Sequence, residues 1–321
     1  MIEVQNIHKS FGAIEAVRGV SFDVSGGEIF GFLGPNGAGK STTINILCTL
    51  LKPDQGTAVL AGHDVVERPA DVRASIGIVF QDPSLDERLS AMENLNFHAL
   101  VYSVPKVERS ARIKHVLDMV ELWGRRDDVV RTFSGGMKRR LEIARGLLHH
   151  PRVLFLDEPT LGLDPQTRNR IWEYIRELRI KQNITIFLTT HYMDEAENCD
   201  RIAVIDHGRI IALDTPDNLK AMVGGDVVTL TSGEIERVKT EIAEHFTLEP
   251  IARDSKLIME VPDGESFLPR LIKAVDVPID SISVRRPTLD DVFLKLTGRT
   301  MREGTGGAMD TMRQHVRSRR G

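Results

Sequence analysis

A glycine-rich loop constrains the fold of this 321-residue chain more than any other stretch. It lies between an apolar run, 29–33, and a helical pattern that begins at Ser41. Glycines let the backbone turn its N–H groups inward, and the following helix presents the positive end of its dipole. The loop therefore predicts a phosphate site, formed by Gly34, Pro35, Asn36, Gly37, Ala38, Gly39, Lys40, Ser41 and Thr42.

The side chains at the end of this loop suit a bound nucleotide. Lys40 would reach the β- and γ-phosphates, and the hydroxyl of Ser41 would be a ligand of Mg²⁺. The simpler interpretation is a glycine turn with an exposed lysine. Because the strand, loop and helix signals occur together in this order, we expect nucleotide binding.

Two carboxylates follow a second apolar strand pattern. Residues 153–156 are all apolar, as in a strand buried on both faces, and Asp157 and Glu158 come directly after them. The carboxyl ends of strands are where α/β sheets place their chemistry. We therefore assign Asp157 to Mg²⁺ and Glu158 to the general base that orients water toward the γ-phosphate. Without the glycine-rich loop, the pair would be read as an acidic turn.

Three single residues occupy positions from which they could contact the same nucleotide. Gln81 follows the strand pattern 76–80, and its amide oxygen could lie near Mg²⁺ or the attacking water. His191 follows the strand pattern 184–188, and we expect its ring to contact the γ-phosphate. Phe11 lies between the first two strand patterns, where a ring could stack on a purine base. Taken alone, Gln81 and Phe11 would be ordinary surface and packing residues.

A helical region separates the strand before Gln81 from the strand before Asp157. It begins with the capping box Ser90-x-x-Glu93 and is interrupted at Pro105. A further helix begins at Ser134, Gly135 and Gly136, a combination that offers backbone N–H groups to an anion. The chain therefore has two helix starts that could bind phosphate. We place a helical subdomain at about 88–145.

The composition fits a globular chain with one large and one small domain. With 42 basic and 46 acidic side chains the formal charge is −4, which argues against coating of nucleic acid through bulk electrostatics. Cys48 and Cys199 have no metal-type spacing, so we expect packing residues in a reducing compartment. The amino terminus resembles no secretion signal, and no apolar run approaches the ~18 to 20 residues needed to cross a bilayer. A membrane function would need the helices of a partner.

Taken in order, these motifs resemble those of the nucleotide-binding subunit of an ABC transporter over residues 1–220. Phe11 matches the family's adenine-stacking aromatic, Gln81 its Q-loop and His191 its switch histidine. Met137 departs from the family, which most often has glutamine there. The remaining matches are 34–42 as Walker A, Ser134 to Gly136 as the signature, Val153 to Glu158 as Walker B, and Gly162-Leu163-Asp164 as the D-loop.

The resemblance implies an α/β fold of the P-loop NTPase class, with a mixed sheet and a helical subdomain. It also implies a head-to-tail dimer, in which ATP on one chain's Walker A motif is covered by the signature of the other. Because the chain has one copy of each motif, a homodimer is the simplest arrangement. ATP and Mg²⁺ are then the expected cofactors. The catalytic residues would be Lys40, Gln81, Glu158 and His191; Ser134, Gly135, Gly136 and Asp164 would join the nucleotide-binding residues, and Ser41, Gln81 and Asp157 would bind the metal.

Residues 221–298 are predicted to form a smaller α/β domain. Strand patterns at 227–230, 257–261 and 281–284 alternate with helical patterns at 235–245, 266–275 and 289–296. Residues 286–294 are similar to the tail of the drug-exporter branch of the family, and Thr288 also predicts a helix cap. For the arginine-rich residues 299–321 we expect a flexible tail, with contact to anionic lipid headgroups as the alternative.

The resemblance thus implies the ATPase of an exporter, which drives efflux of a drug or antibiotic through a separate integral membrane permease. Such a subunit would be peripheral to the cytoplasmic face of the cell membrane and dock through the loop after Gln81 and the helical subdomain. An ATPase for export of a lipid, a polysaccharide or an ion is one alternative. Another is a soluble ABC ATPase that acts on nucleic acid or ribosomes. Such proteins usually carry long insertions or two cassettes, and this sequence shows neither feature. We therefore expect no nucleic acid partner.

Overall fold

The computed structural model describes residues 1–82, 84–253 and 256–298, which fall into two compact units that divide between Leu213 and Asp214. The predicted arginine-rich tail at 299–321 lies outside the described residues. Within the described ranges, no helix combines the length and the apolar character needed to cross a bilayer. Cys48 and Cys199 are free and buried, as predicted.

The first unit alternates strands and helices, as expected of an α/β fold. Its strands are β1 (Ile2–Phe11), β2 (Ile14–Val24), β3 (Ile29–Leu33), β4 (Gln55–Leu60), β5 (His63–Asp64), β6 (Ile76–Val79), β7 (Val153–Asp157), β8 (Thr185–Thr190), β9 (Arg201–Asp206) and β10 (Arg209–Asp214), which reaches the boundary. Its helices are α1 (Lys40–Leu47), α2 (Pro69–Ser75), α3 (Ala91–Val101), α4 (Lys106–Met119), α5 (Gly135–Leu147), α6 (Pro165–Gln182) and α7 (Met193–Ala196), with 3₁₀ turns at Trp123–Arg125 and Val130–Thr132.

Two sheets form this unit. One is antiparallel with the strand order β2-β1-β4-β5, and the other has six strands in the order β10-β9-β3-β8-β7-β6. In the larger sheet, β3 is parallel to β8 and β9, and β7 is parallel to β6 and β8. Parallel strands end at the same edge of a sheet, so the glycine-rich loop, Asp157 and Thr190 lie along one edge.

A cluster of phenylalanine rings joins the two sheets. The ring centroid of Phe22, on β2, lies 5.4 Å from that of Phe30 and 5.6 Å from that of Phe32, both on β3. Phe187 of β8 and Phe155 of β7 continue the cluster, with centroids 5.3 Å apart. Close-packed rings combine a large buried apolar area with dispersion contacts, so the strands that carry the predicted site rest on a tightly packed layer.

The helical region has the predicted start and the predicted break. The hydroxyl of Ser90 accepts a hydrogen bond from the backbone N–H of Glu93 at 3.2 Å, and the Glu93 carboxylate accepts one from the Ser90 N–H at 2.7 Å. Helix α3 ends before Pro105, and α4 begins directly after it. The capping box and the proline interruption are therefore confirmed.

The second unit is a small α/β domain. Its elements are α8 (Pro216–Ala221), β11 (Asp226–Thr231), α9 (Ile235–Phe246), β12 (Ile251–Arg253), β13 (Lys256–Val261), α10 (Gly264–Ala274), β14 (Ser281–Arg285) and α11 (Leu289–Thr297). The strands form an antiparallel sheet in the order β12-β13-β11-β14, so the chain follows a βαββαβ plan between α8 and α11. The sequence predicted three strands here and missed β12, because three residues are too few to show a hydrophobic period.

Candidate active site

Backbone geometry explains the three glycines of the loop between β3 and α1. A Cβ atom at Gly34 would lie 2.3 Å from the carbonyl oxygen of Ile205, and one at Gly39 would lie 2.5 Å from that of Ala16. Gly37 and Gly39 also have positive φ angles, 80° and 105°, which glycine adopts without strain. Helix α1 begins without a side-chain cap and without an acidic residue in its first turn. The positive end of α1 is therefore available to an anion.

Lys40 lies inside this loop. Its side chain is 5% exposed, and its Nζ donates hydrogen bonds to the carbonyl oxygens of Gly34 at 2.7 Å and Pro35 at 3.2 Å. Burial lowers the pKa of Lys40, whereas the nearby carboxylates of Glu158 and Asp157 oppose this shift. A phosphate in the loop would therefore meet an ammonium group with little water between them, where the attraction between the charges is strong.

Ser41 and Asp157 meet at the start of α1 and the end of β7. The hydroxyl of Thr189 donates a hydrogen bond to the Asp157 carboxylate, and the nearby Ser41 hydroxyl also favours the ionised form of that carboxylate. Burial raises the pKa of Asp157, and the Thr189 hydrogen bond opposes this shift. Within the described residues, no three His, Cys, Asp or Glu side chains are grouped to hold a metal. A hydroxyl and one carboxylate are hard oxygen donors that fit Mg²⁺ bound jointly with phosphate oxygens.

The carboxylate of Glu158 lies between a histidine and a lysine. Its Oε1 is 3.1 Å from Nδ1 of His191 and 3.7 Å from Nζ of Lys40. Burial alone would raise the pKa of Glu158, but the hydrogen bond from His191 and the charge of Lys40 bring the pKa below its usual value. Glu158 is therefore ionised near neutral pH and can accept a proton. The structure brings these three predicted catalytic residues together.

The backbone of Glu158 is strained. Its φ angle is +46°, in the left-handed region that costs a residue with a side chain about 1 kcal/mol or more. The backbone N–H of Glu158 donates to the carbonyl oxygen of Thr189 at 3.2 Å and to its hydroxyl at 3.1 Å. The chain therefore turns sharply after β7, and this turn places the Glu158 side chain beside Lys40 and His191.

Gln81 and Phe11 lie at the periphery of this arrangement. Gln81 is exposed and follows β6, the parallel neighbour of β7, so it lies at the same sheet edge as Asp157. Phe11 ends β1, and its ring is 40% exposed, with Nζ of Lys9 5.9 Å from the ring centroid. An exposed ring is accessible for stacking on a base. The roles of Gln81 and Phe11 toward a nucleotide remain predictions.

The starts of α5 and α6 form one surface. The hydroxyl of Ser134 accepts a hydrogen bond from the Met137 N–H at 3.3 Å and so caps α5. The Asp164 carboxylate caps α6, accepting from the N–H of Thr167 at 3.0 Å and from its hydroxyl at 2.6 Å. A Cβ atom at Gly136 would lie 2.3 Å from Cγ2 of Thr167, so the two helix starts touch. These contacts run between the signature and the D-loop, and their role in binding a nucleotide remains a prediction.

Sequence reasoning missed a buried arginine behind the site. Arg139, on α5, is 8% exposed and donates to the carbonyl oxygens of Phe80 at 2.6 Å, Pro159 at 2.8 Å and Asp157 at 2.9 Å. Its Nη1 also lies 3.1 Å from Oε2 of Glu142. Lys138 and Arg140 flank Arg139, so the local pattern did not single it out. The one available signal was its spacing of three residues from Glu142, which allows an ion pair on a helix.

A buried carboxylate on α7 was also missed. Glu195 accepts hydrogen bonds from the hydroxyls of Thr160 and of Thr190, the latter at 2.8 Å. Burial raises the pKa of Glu195, and the hydrogen bond from Thr190 opposes this shift. Because Thr160 lies just after Glu158 and Thr190 just before His191, Glu195 ties together the two segments that carry these side chains.

Comparison with known families and proteins agrees with this geometry. Residues 17–161 match the family model of the ABC transporter, and residues 215–297 match the C-terminal domain of ATP-binding proteins like DrrA1-3. The daunorubicin resistance ATP-binding protein DrrA2 of Streptomyces coeruleorubidus is 40% identical, and the match covers 92% of this chain and 95% of that protein. The linearmycin resistance ATP-binding protein LnrL of Bacillus subtilis is 39% identical, and the match covers 94% of this chain and 100% of that protein. The Nod factor export ATP-binding protein I of Paraburkholderia xenovorans is 40% identical, covering 94% and 98%.

Solved structures give the same assignment. CbiO1 of Clostridium perfringens, part of an ABC transporter complex, superimposes with a TM-score of 0.65 at 29% identity, covering 77% of this chain and 95% of that one. MJ0796, a bacterial ABC transporter cassette solved as a dimer, superimposes with a TM-score of 0.61 at 28% identity, covering 67% and 98%. The predicted α/β fold of the P-loop NTPase class is therefore confirmed. This chain belongs to the ATP-binding subunits of ABC transporters, which are ATPases, in the branch that contains the daunorubicin resistance proteins.

Proposed function

We propose that this chain hydrolyses ATP to drive export of a drug or antibiotic through a separate membrane permease. The observation that carries this proposal is the position of the ionised Glu158, 3.1 Å from His191 and 3.7 Å from Lys40 at the end of a buried strand. The names of the daunorubicin and linearmycin resistance relatives support the class of cargo.

The chemistry assigns one task to each side chain. Lys40 would exchange the carbonyl oxygens of Gly34 and Pro35 for phosphate oxygens when ATP enters the loop. Glu158 would take a proton from water as the water oxygen bonds to the γ-phosphorus, and the bond from that phosphorus to the ADP oxygen breaks. His191 would hold the γ-phosphate beside Glu158. Mg²⁺, held by Ser41 and Asp157, would neutralise charge on the phosphates.

A second copy of the chain would complete the site. The Ser134 hydroxyl and the backbone N–H groups at the start of α5 would contact the γ-phosphate bound by the other copy. Asp164 would reach the same interface, since it shares a surface with Ser134 through Thr167. The dimeric structure of the MJ0796 cassette supports this arrangement. Hydrolysis removes the group that joins the two copies, so the dimer would open after each turnover.

An apolar patch on α3 supports docking of a permease. Phe97, Leu100 and Val101 are 58%, 56% and 60% exposed, and their spacing places them on one face of the helix. Exposed apolar residues that share one face are typical of a protein interface. We assign to this patch a cytoplasmic helix of the permease, which would hold the ATPase at the cytoplasmic face of the membrane.

Replacement of Glu158 by glutamine tests the assignment of the base. We expect E158Q to retain ATP and to accumulate as a closed dimer in size-exclusion chromatography, while turnover falls by roughly 10²-fold or more. Glu177, a half-exposed carboxylate on α6, is the matched control, and E177Q should keep the parental rate. Hydrolysis by E158Q at the parental rate would show that the base lies elsewhere.

A second experiment tests the cargo. The chain is co-expressed with a candidate permease, and ATPase activity in the reconstituted complex is measured with and without a panel of antibiotics. Stimulation by a drug supports the proposal. The Nod factor export relative makes a Nod factor the specific alternative, so stimulation by such a compound, with no response to any drug, would replace the proposed cargo.

A further inference from the structure

We propose that Arg139 is a positioning residue for hydrolysis, which holds the strained backbone of Glu158 by binding carbonyl oxygens on both sides of it. The inference rests on the proposed role of Glu158 as the base. Arg139 does not need to touch the nucleotide to act in this way. It acts from behind β7, through main-chain carbonyls rather than through the Glu158 side chain.

The contacts of Arg139 restrict the turn in which Glu158 lies. Its Nη2 donates to the carbonyl oxygen of Asp157 at 2.9 Å, which fixes the peptide plane that leads into Glu158. Its Nε donates to the carbonyl oxygen of Pro159 at 2.8 Å, and the proline ring limits φ at that residue. Rotation of Glu158 out of its +46° φ angle would turn the first of these planes and break its hydrogen bond. A strained conformation of this kind persists only where its surroundings determine it.

The same guanidinium also joins the turn to the segment that leads to Gln81. Its Nη1 donates to the carbonyl oxygen of Phe80 at 2.6 Å, one residue before Gln81. Glu142, whose side chain is 3% exposed, lies 3.1 Å from Nη1 and accepts a hydrogen bond from the Ser84 N–H at 2.8 Å. Displacement of Phe80 or Ser84 would therefore disturb the contacts of Arg139 and, through them, the backbone of Glu158.

Only an arginine can make this set of contacts. Its planar group has five N–H donors in a fixed fork, whereas a lysine has three donors on a single nitrogen and cannot span three carbonyl oxygens and a carboxylate. Glu142 balances the buried charge, so loss of either partner leaves the other uncompensated. The conservative change Arg139→Lys keeps the charge and removes the fork, which makes it the most informative variant.

Steady-state kinetics of the purified full chain separates positioning from folding. We expect R139K to lower kcat by roughly 10- to 100-fold, because small displacements of a catalytic group cost rates of this size. We expect KM for ATP and the affinity for a non-hydrolysable ATP analogue to stay within about twofold of the parent. Arg140, the next residue, donates to the Val120 carbonyl and the Tyr174 hydroxyl, so R140K is the matched control and should keep the parental kcat. An R139K variant with parental kcat overturns the inference.

A double-variant cycle tests whether Arg139 acts through Glu158. If it does, R139K/E158Q and E158Q have the same residual rate, since the base that Arg139 positions is already gone. If the double variant is slower than E158Q by the factor that separates R139K from the parent, Arg139 acts independently and the inference is wrong. If E158Q itself is fully active, the proposed base fails instead. Should R139K not fold, R139Q/E142Q, which removes both buried charges together and the carbonyl fork with them, replaces it in both measurements, with the same outcomes.

Discussion

The two units of this chain use buried charge differently. Most of the buried charged side chains described in the larger unit lie in or beside the candidate site: Lys40, Arg139, Glu142, Asp157 and Glu195, with Glu28 and Arg145 the exceptions. Among the described residues of the smaller unit, one charged side chain is buried, Asp291, and it pairs with Arg285. Burial of charge costs folding energy unless each group finds a partner. The larger unit carries most of this cost at the candidate site, whereas the smaller unit carries it at a single described ion pair.

Positive φ angles of residues other than glycine occur at several turns and helix ends of the larger unit as well as at Glu158, and in the smaller unit at Thr247. In the larger unit, the positive φ angle of Glu158, +46°, lies at the predicted base. In the smaller unit, the positive φ angle of Thr247, +52°, ends helix α9, a position where the left-handed conformation is common. The first angle serves to aim a side chain, and the second serves to stop a helix. The comparison teaches that a positive φ angle suggests a functional role only where neither a helix end nor an ordinary strand irregularity or turn explains it.

The largest expected effect is a loss of ATP hydrolysis that leaves the fold of the smaller unit unchanged. Replacement of Lys40 by methionine removes the ammonium that lies inside the loop, so ATP hydrolysis should fall by roughly 10²-fold or more. Hydrogen exchange followed by mass spectrometry should show unchanged protection of β11 and β13. Parental ATP retention by K40M would contradict the phosphate site itself, and lost protection in β13 would contradict the separation of the two units.

A core substitution in the smaller unit should have the opposite result: lower stability of that unit and an unchanged ATPase rate. Leu271, on α10, is fully buried in the apolar core, so L271A should lower the stability of this unit by about 2 to 5 kcal/mol. Hydrogen exchange in β11 and β13 should accelerate, while the ATPase rate at 25 °C stays near that of the parent. Ile272, the next residue, is 57% exposed, and I272A is the matched control. A loss of hydrolysis in L271A without unfolding of the smaller unit would show that the unit takes part in turnover.

The smallest expected effect concerns a single ion pair of the smaller unit. Asp291 is buried, and Arg285 donates two hydrogen bonds to its carboxylate, at 2.5 and 2.7 Å. Burial raises the pKa of Asp291, but the bonds from Arg285 and Thr288 outweigh it and bring the pKa below the usual value. The pair therefore stabilises the folded unit above the unfolded pKa of about 4, and this contribution is lost as the pH falls through the lower folded pKa.

Replacement of Asp291 by asparagine should remove this contribution. At pH 7, D291N should be less stable than the parent by roughly 1 to 2 kcal/mol in hydrogen exchange of α11 and β14. The difference should shrink as the pH falls below about 4, because the parental carboxylate is then protonated. Asp217 on α8 is 94% exposed and pairs with Lys220, and D217N serves as the control. A difference that stays constant down to pH 3 would contradict the ion-pair explanation.

The sequence predicted those parts of the molecule that short motifs encode. The glycine-rich loop defined a strand, a turn and a helix, and the structure has them. The pattern of apolar strands ending in Asp157 and His191 was enough to place both side chains at one sheet edge, because parallel strands align their ends. Ser90 and Pro105 marked helix boundaries through local backbone chemistry.

The parts that the sequence did not predict depend on contacts between distant segments. Arg139 stands between two other basic residues, and nothing in the local pattern shows that it turns inward to three main-chain carbonyls. Glu195 is likewise defined by Thr160, which lies far from it in the chain. The β12 strand was missed because its pairing with β13 defines it, and its own three residues do not. The roles of Ser134 and Asp164 depend on a second chain and remain predictions.

The tight fit of Gly136 against Thr167 has a consequence for how this family member can change. The space that a methyl group would need at position 136 is already filled by the side chain of Thr167 on another helix. A change at position 136 therefore depends on which residue stands at position 167. A bulkier residue at the first position requires a smaller one at the second. A larger residue at 136 will therefore be tolerated only where 167 has already become smaller, whereas the change at 167 can come first.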